Sequence, residues 1–243
     1  MLFVAYHPRT SQDKLGLPTF ISHIFTEVFN EKKPMQAVFE KYSEEQIYYA
    51  PKTDGSPVPA NRRLPPQLIM VCKGLKRIAF DFMASDSFEW LVSERFYALM
   101  QQRQLLADHY EACKLTVVST KNQPLTDKPY YLLRFYHDDS ALIDFAHSPT
   151  VPSTEAPLTP TTSPLLYYPD LVFKPSVQVP VMLHFRQNSF DFAFLCNEEL
   201  KKLMEEEKFL GFDFYTLPAY VAERHYREQY PYGPPSDKPQ RLS

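Results

Sequence analysis

Imidazole and carboxylate side chains gather most densely at His137-Asp138-Asp139, followed by Asp144 and His147. Two of each could hold a divalent metal, but the spacing matches no ligand frame of the H-E-x-x-H kind. Asp and Ser also close turns with their own side chains. Asp138-Asp139-Ser140 therefore reads as a turn between a strand ending at Tyr136 and the segment Leu142–Phe145, and no metal ligand is assigned. Nucleophilic catalysis needs Ser or Cys beside His with an orienting acid. The histidines, His7, His23, His109, His137, His147, His184 and His225, are scattered, and the cysteines sit in apolar phrases such as Val71-Cys72 and Leu195-Cys196. A small buried hydrophobe is the ordinary role of such a cysteine. The chain has 5 glycines, and the nearest two, Gly55 and Gly74, are nineteen residues apart. That excludes G-x-G-x-x-G and G-x-x-x-x-G-K-[ST] phosphate loops and the G-x-S-x-G elbow. No catalytic, cofactor-binding or metal-binding residue is assigned. The alternatives are a hydrolase-like enzyme whose site assembles only in three dimensions, or a small-molecule or nucleic-acid binding module.

The polar residues that remain suit recognition better than catalysis. Lys and Arg total 26 against 29 Asp and Glu, a net charge of -3 without a long basic stretch. Nucleic-acid binding needs a phosphate-neutralising face, so it is disfavoured despite 19 Phe and 16 Tyr. Glu198, Glu199, Glu205, Glu206 and Glu207 fall on one expected helix. Their ordinary role is a solvated face; their sharper role is to steer a basic partner. Tyr167 and Tyr168 are added as candidate interface tyrosines, because amphipathic rings suit an interface core.

The elements that must position these residues are legible in part. Leu2–Tyr6 is expected as an edge strand. Helices are expected from Thr19 to about Lys33 and over Met35–Tyr42, and a loop over Pro51–Pro66. Strands follow at Leu68–Cys72, Arg77–Met83, Phe88–Val92, Leu115–Val118, Tyr130–Tyr136, Val181–Phe185, Phe190–Cys196 and Gly211–Leu217. Helices are expected at Ser93–Arg103, at Asn197–Lys208, and from Pro218 to about Gln229, where proline opens the helix. Ser148–Pro164 holds five prolines and eight Ser or Thr, a composition that buries no core and reads as a mobile surface loop. The expected division is a mixed helix-and-loop region over 1–65, an α+β domain over 66–230 and a flexible tail over 231–243. Three cysteines without a C-x-x-C pair suggest reduced thiols. The first residues lack the basic and apolar regions of a signal peptide, and no run is long enough to span a membrane. The chain is therefore expected to be soluble and cytoplasmic.

One stretch occurs twice. Phe88 to Met100 aligns without gaps on Phe192 to Met204, each an apolar strand, a Ser or Asn N-cap, a Glu and a helical apolar stripe. A strand-helix unit used twice argues for an α+β fold with helices on a mainly antiparallel sheet. The phrases Leu64-Pro65-Pro66-Gln67-Leu68, Ile78-Ala79-Phe80-Asp81-Phe82, Trp90-Leu91-Val92-Ser93-Glu94-Arg95-Phe96, Tyr130-Tyr131-Leu132-Leu133-Arg134-Phe135, Ile143-Asp144-Phe145, Phe194-Leu195-Cys196-Asn197-Glu198-Glu199-Leu200 and Leu210-Gly211-Phe212-Asp213-Phe214 occur in that order. Together they resemble the immunity proteins of bacterial polymorphic toxin systems, in particular the family catalogued as immunity protein forty-three, or its neighbour eleven. The resemblance covers about residues 64 to 217, with 148–164 as an insertion. It implies a non-enzymatic cytoplasmic protein that neutralises a cognate toxin, encoded by an adjacent gene, in a stoichiometric complex.

Overall fold

The computed structural model describes residues 1–6, 23–25, 49–50, 52, 56–72, 74–84, 89–106, 110–154, 164–186 and 188–230. The fold is α+β, as the sequence indicates. Its strands are β1 (Leu2–Tyr6), β2 (His23–Phe25), β3 (Gln67–Cys72), β4 (Phe82–Ala84), β5 (Glu89–Ser93), β6 (Tyr110–Ser119), β7 (Tyr130–Phe135), β8 (Val151–Pro152), β9 (Leu166–Tyr167), β10 (Met182–Leu183), β11 (Ala193–Asn197) and β12 (Asp213–Thr216). The α-helices among the described residues are α1 (Glu94–Gln102), α2 (Glu198–Glu206) and α3 (Leu217–Gln229). One sheet has the order β10-β11-β1-β12 and a second the order β2-β3-β6-β7-β5-β4, while β8 and β9 form a separate ribbon. Among the described strands only β3 and β6 run parallel.

Two expectations are corrected. Leu2–Tyr6 is an interior strand, paired with β11 on one side and β12 on the other. Val4 and Ala5, which point to opposite faces, are both fully buried, as an interior strand covered on both faces requires. Within the helix expected from Thr19, residues 23–25 are extended and pair antiparallel with Ile69 to Val71. Apolar residues there at helical spacing include Ile24 and Phe25, which also suit a strand, and pairing decides between the two. Met35–Tyr42 and the tail 231–243 lie outside the described residues. The apolar phrase 77–83 contributes only β4 as strand. Before it, Ile78 donates its N–H to Leu125 O at 3.0 Å, and the Tyr130 hydroxyl donates to Phe80 O.

The repeated phrase is repeated in structure. Ser93 and Asn197 cap α1 and α2, accepting from Phe96 N at 3.2 Å and Leu200 N at 2.9 Å. Both helices end alike. Leu105 N donates to Met100 O as Phe209 N does to Met204 O, and Gln104 N donates to Gln101 O as Lys208 N does to Glu205 O. Gln104 and Lys208 take left-handed backbone at φ 52° and 54°, the Schellman ending. The likeness extends to the sheets, since Phe82 pairs with Val92 where Met182 pairs with Cys196. Trp90 pairs with Leu133 where Phe194 pairs with Ala5, and Leu133 with Ala112 where Ala5 pairs with Phe214. Thus β4-β5-β7-β6 matches β10-β11-β1-β12, with the N-terminal strand filling in the second unit the place of β7.

The α1 and α2 faces share one core. It contains Phe82, Trp90, Phe96 and Met100 from the first unit with Ala5, Phe194, Leu200 and Met204 from the second. The equivalent residues Trp90 and Phe194 pack on each other at 5.5 Å between ring centroids, and Phe82 meets Phe194 edge-on at 5.0 Å. Period-2 alternation sends Leu68, Met70, Leu91, Cys113, Leu115 and Leu132 to the opposite face of the larger sheet. Val4, Tyr6, Leu183 and Leu195 go to the opposite face of the smaller one, under Leu217 and Tyr220 of α3.

Candidate functional site

α2 exists because Asn197 stops β11 and caps the helix, while Leu200 and Met204 anchor its inner side. That geometry leaves Glu198, Glu199, Glu205, Glu206 and Glu207 exposed. Lys202 approaches Glu198 at 3.5 Å and Lys201 approaches Glu205 at 2.7 Å, one helical turn apart in each case. Such exposed pairs contribute about 0.3–0.5 kcal/mol, too little to fix the helix but enough to soften its charge. Glu199, Glu206 and Glu207 have no ion pair among the described residues. The five acids are thus brought onto one helix, at its two ends.

The C-terminal end of that helix is tied to the first unit. Arg95 of α1 donates to Glu207 O at 2.8 Å and Lys208 O at 3.3 Å, and its guanidinium pairs with Asp81 at 2.9 Å. Asp81 is 4% exposed. Its carboxylate also accepts from the Ser93 hydroxyl at 2.6 Å and from Leu210 N at 2.9 Å. Leu210 O in turn accepts from Asp81 N and Phe82 N. Gly211 follows with φ +114°, and a Cβ there would lie 2.2 Å from Phe82 O, so no other residue fits. Asp81, Ser93, Arg95, Leu210 and Gly211 come from three phrases that are far apart in sequence. Composition and spacing gave no signal that they meet.

Tyr167 and Tyr168, the candidate interface tyrosines, are not with the acidic helix, and Tyr167 is buried rather than at the surface. It is 1% exposed, with its hydroxyl donating to Glu228 of α3 and Arg224 lying 5.1 Å from its ring centroid. Tyr168 is half-buried, with its ring 5.0 Å from that of Phe145. Glu228 also accepts from the Ser153 hydroxyl at 2.7 Å, from Thr154 N at 2.8 Å and from the Thr154 hydroxyl at 2.6 Å. Burial alone would raise this carboxyl, but those hydrogen bonds outweigh it and bring its pKa down to about 2. α3 therefore holds both ends of the Pro/Ser/Thr-rich segment: Val151 pairs with Tyr167 and Pro152 with Leu166. Ser148 is buried, its hydroxyl donating to Asp144 O. Residues 155–163 lie outside the described residues.

The histidine and carboxylate cluster divides in two. His147 Nδ1 and Asp144 Oδ2 are 2.8 Å apart on the surface. His137 Nε2 and Asp139 Oδ1 are 2.9 Å apart, and Asp139 Oδ2 accepts from His184 N at 2.7 Å. Asp138 closes the turn through Ser140 N at 2.7 Å. Burial pushes the Asp139 carboxyl up, against the opposing pull of His184 N and His137. Among the described residues no group of three or more His, Cys, Asp or Glu could hold a metal. The cysteines are buried and free, and burial pushes Cys72 up to about 11 and Cys196 up to about 12. Such thiols are protonated and unreactive at neutral pH. Arg134, fully buried, lies between Glu111 on β6 and Glu89 on β5 in register. It donates to Glu111 Oε2 at 3.1 Å and to Arg62 O at 2.7 Å. That arrangement ties the 56–66 segment to the sheet; removing one member of a buried pair costs about 3–5 kcal/mol.

No described helix is long and apolar enough to cross a membrane. A family model described as Immunity protein 43 matches residues 9–233. The match takes in both residues 9–63 and the 148–164 segment. No curated protein matches the sequence.

Proposed function

The chain belongs to the Immunity protein 43 family, and from that premise we propose that it neutralises a cognate toxin by binding it in a stoichiometric complex. The partner is a toxin domain encoded by the adjacent gene, and the complex forms in the cytoplasm of the protected cell. Family membership over residues 9–233 carries this reading. The exposed acids of α2, Glu198, Glu199, Glu205, Glu206 and Glu207, support it as a face that attracts a basic toxin, since complementary charge steers encounter. Tyr167 is buried, and the half-buried Tyr168 stands apart from that face and would take part only through a second contact. The three buried thiols suit a reducing compartment. Protection then comes from occlusion rather than turnover. Titrating the purified protein into the toxin domain should end toxicity at about one copy per toxin. Full protection by trace amounts would mean catalysis and would overturn the reading.

A further inference from the structure

Two neighbouring residues of one turn work against folding. The turn before β11 is anchored on both sides: the Ser189 hydroxyl donates to Leu166 O at 2.6 Å, and the Tyr220 hydroxyl donates to Ser189 O at 3.0 Å. Phe190 is buried, its ring stacked on Tyr220 at 5.9 Å and on Tyr168 at 6.3 Å between centroids. Asp191 is only half-buried, yet its Oδ1 is fully enclosed, and neither carboxylate oxygen has a hydrogen-bond partner among the described residues. Burial pushes this carboxyl up and Arg224 pulls it down, but the two form no ion pair among the described residues. The Arg224 guanidinium donates instead to the Tyr220 hydroxyl at 3.1 Å. Phe192 follows with φ +64°. The other described non-glycine residues with left-handed backbone, Gln104, Asn122, Ser176 and Lys208, are all polar. A bulky ring there is an outlier, and it gains no burial in return, since Phe192 is 40% exposed.

A turn chosen for stability alone would carry Asn or Gly at 192 and no unpaired carboxylate at 191. Local costs of this kind persist where a contact outside the fold uses them. A single exposed apolar side chain is ordinary; one held in left-handed backbone beside an unpartnered carboxylate is not. We infer that the Asp191–Phe192 turn is the seat of the bound toxin, whose surface offers an apolar recess for the Phe192 ring and an N–H donor at its rim for Asp191 Oδ2. The inference rests on the toxin-binding reading above and names the contact. Oδ2 is the oxygen that the fold does not enclose. The donor is a neutral amide, main-chain or side-chain, because Arg224 already supplies positive charge beside Asp191. An anchor ring in a recess with polar groups around it is the common build of an interface hot spot. Phe192 precedes the first residue of β11, and Asn197 at the other end caps α2. Roughly 16 Å of strand therefore separates this turn from the acidic helix, so the charges that steer encounter and the seat of the complex are distinct.

Asn adopts left-handed backbone more readily than Phe, so Phe192→Asn separates a role in folding from a role in binding. Its unfolding temperature should equal or exceed the parent's. Its affinity for the toxin domain encoded by the adjacent gene, measured by calorimetric titration, should fall at least tenfold. Phe192→Gly serves the same purpose if the Asn variant does not fold, and Asp191→Ala should weaken binding without lowering the unfolding temperature. A marked drop in unfolding temperature for both variants at 192 would make the ring part of the fold and overturn the inference. Binding by a folded variant within twofold of the parent would overturn it too, leaving the toxin-binding reading intact. A parent dimer in sedimentation that Phe192→Asn converts to monomer would assign the turn to a second copy of this chain instead. Failure of the parent itself to form a complex would remove the toxin-binding reading and this inference together.

Discussion

At the scale of single residues, Glu228 shows how one side chain organises a segment that composition describes as structureless. Its carboxylate accepts from Ser153, Thr154 and Tyr167, so α3 fixes both strands of the β8-β9 ribbon. A carboxyl brought down to about 2 in the folded chain adds stability that is present above its ordinary value near 4.5 and is lost as pH falls through the folded value. The protection factor of the Thr154 amide, its exchange rate relative to the unstructured chain at the same pH, should therefore hold at pH 5 and fall as pH drops from about 4.5 towards 2. Glu228→Gln should abolish that dependence, and an unchanged protection factor at low pH would show that the ribbon is held by other contacts. None of this was legible in the sequence, because a hydrogen bond spanning seventy-four residues leaves no local pattern. Local chemistry was legible. Asp138 closing its turn through Ser140 N and the caps Ser93 and Asn197 all bond within three residues of themselves.

At the scale of elements, the strand-helix unit was readable twice because cap, apolar stripe and strand are all local. The strand completing each unit was not. β7 follows from nearby sequence, whereas β1 comes from the other end of the chain, so the second unit closes only when residues 2–6 enter between β11 and β12. The echo does predict which residues are equivalent, and the structure places Trp90 and Phe194 in one shared core. Trp90→Ala and Phe194→Ala should each cost about 3–5 kcal/mol by denaturant unfolding. Because the two rings touch, the double variant should differ from the sum by about 0.5–3 kcal/mol. Strict additivity would mean that the two units carry independent cores.

At the scale of the whole molecule, the question is how a chain of net charge -3 would reach the basic partner proposed for it. Its acidic residues are not spread evenly: Glu205, Glu206 and Glu207 project from the end of α2 that Arg95 locks to the first unit. Because the lock is made by main-chain carbonyls and by Asp81, the three side chains point outward without holding the fold together. Replacing all three with Lys changes the net charge by +6, from -3 to +3. Exposed substitutions of this kind usually move stability by less than about 0.5 kcal/mol, and the loss of the Lys201–Glu205 pair adds only a few tenths. Association is another matter. Rim charges act on the rate of encounter, and their effect fades once the Debye length shrinks to about 3 Å in 1 M salt. Stopped-flow association with the toxin domain should therefore be at least tenfold slower for the triple variant at low salt and converge with the parent at high salt, while the unfolding midpoint stays put. Equal rates at low salt would take this end of α2 out of the encounter.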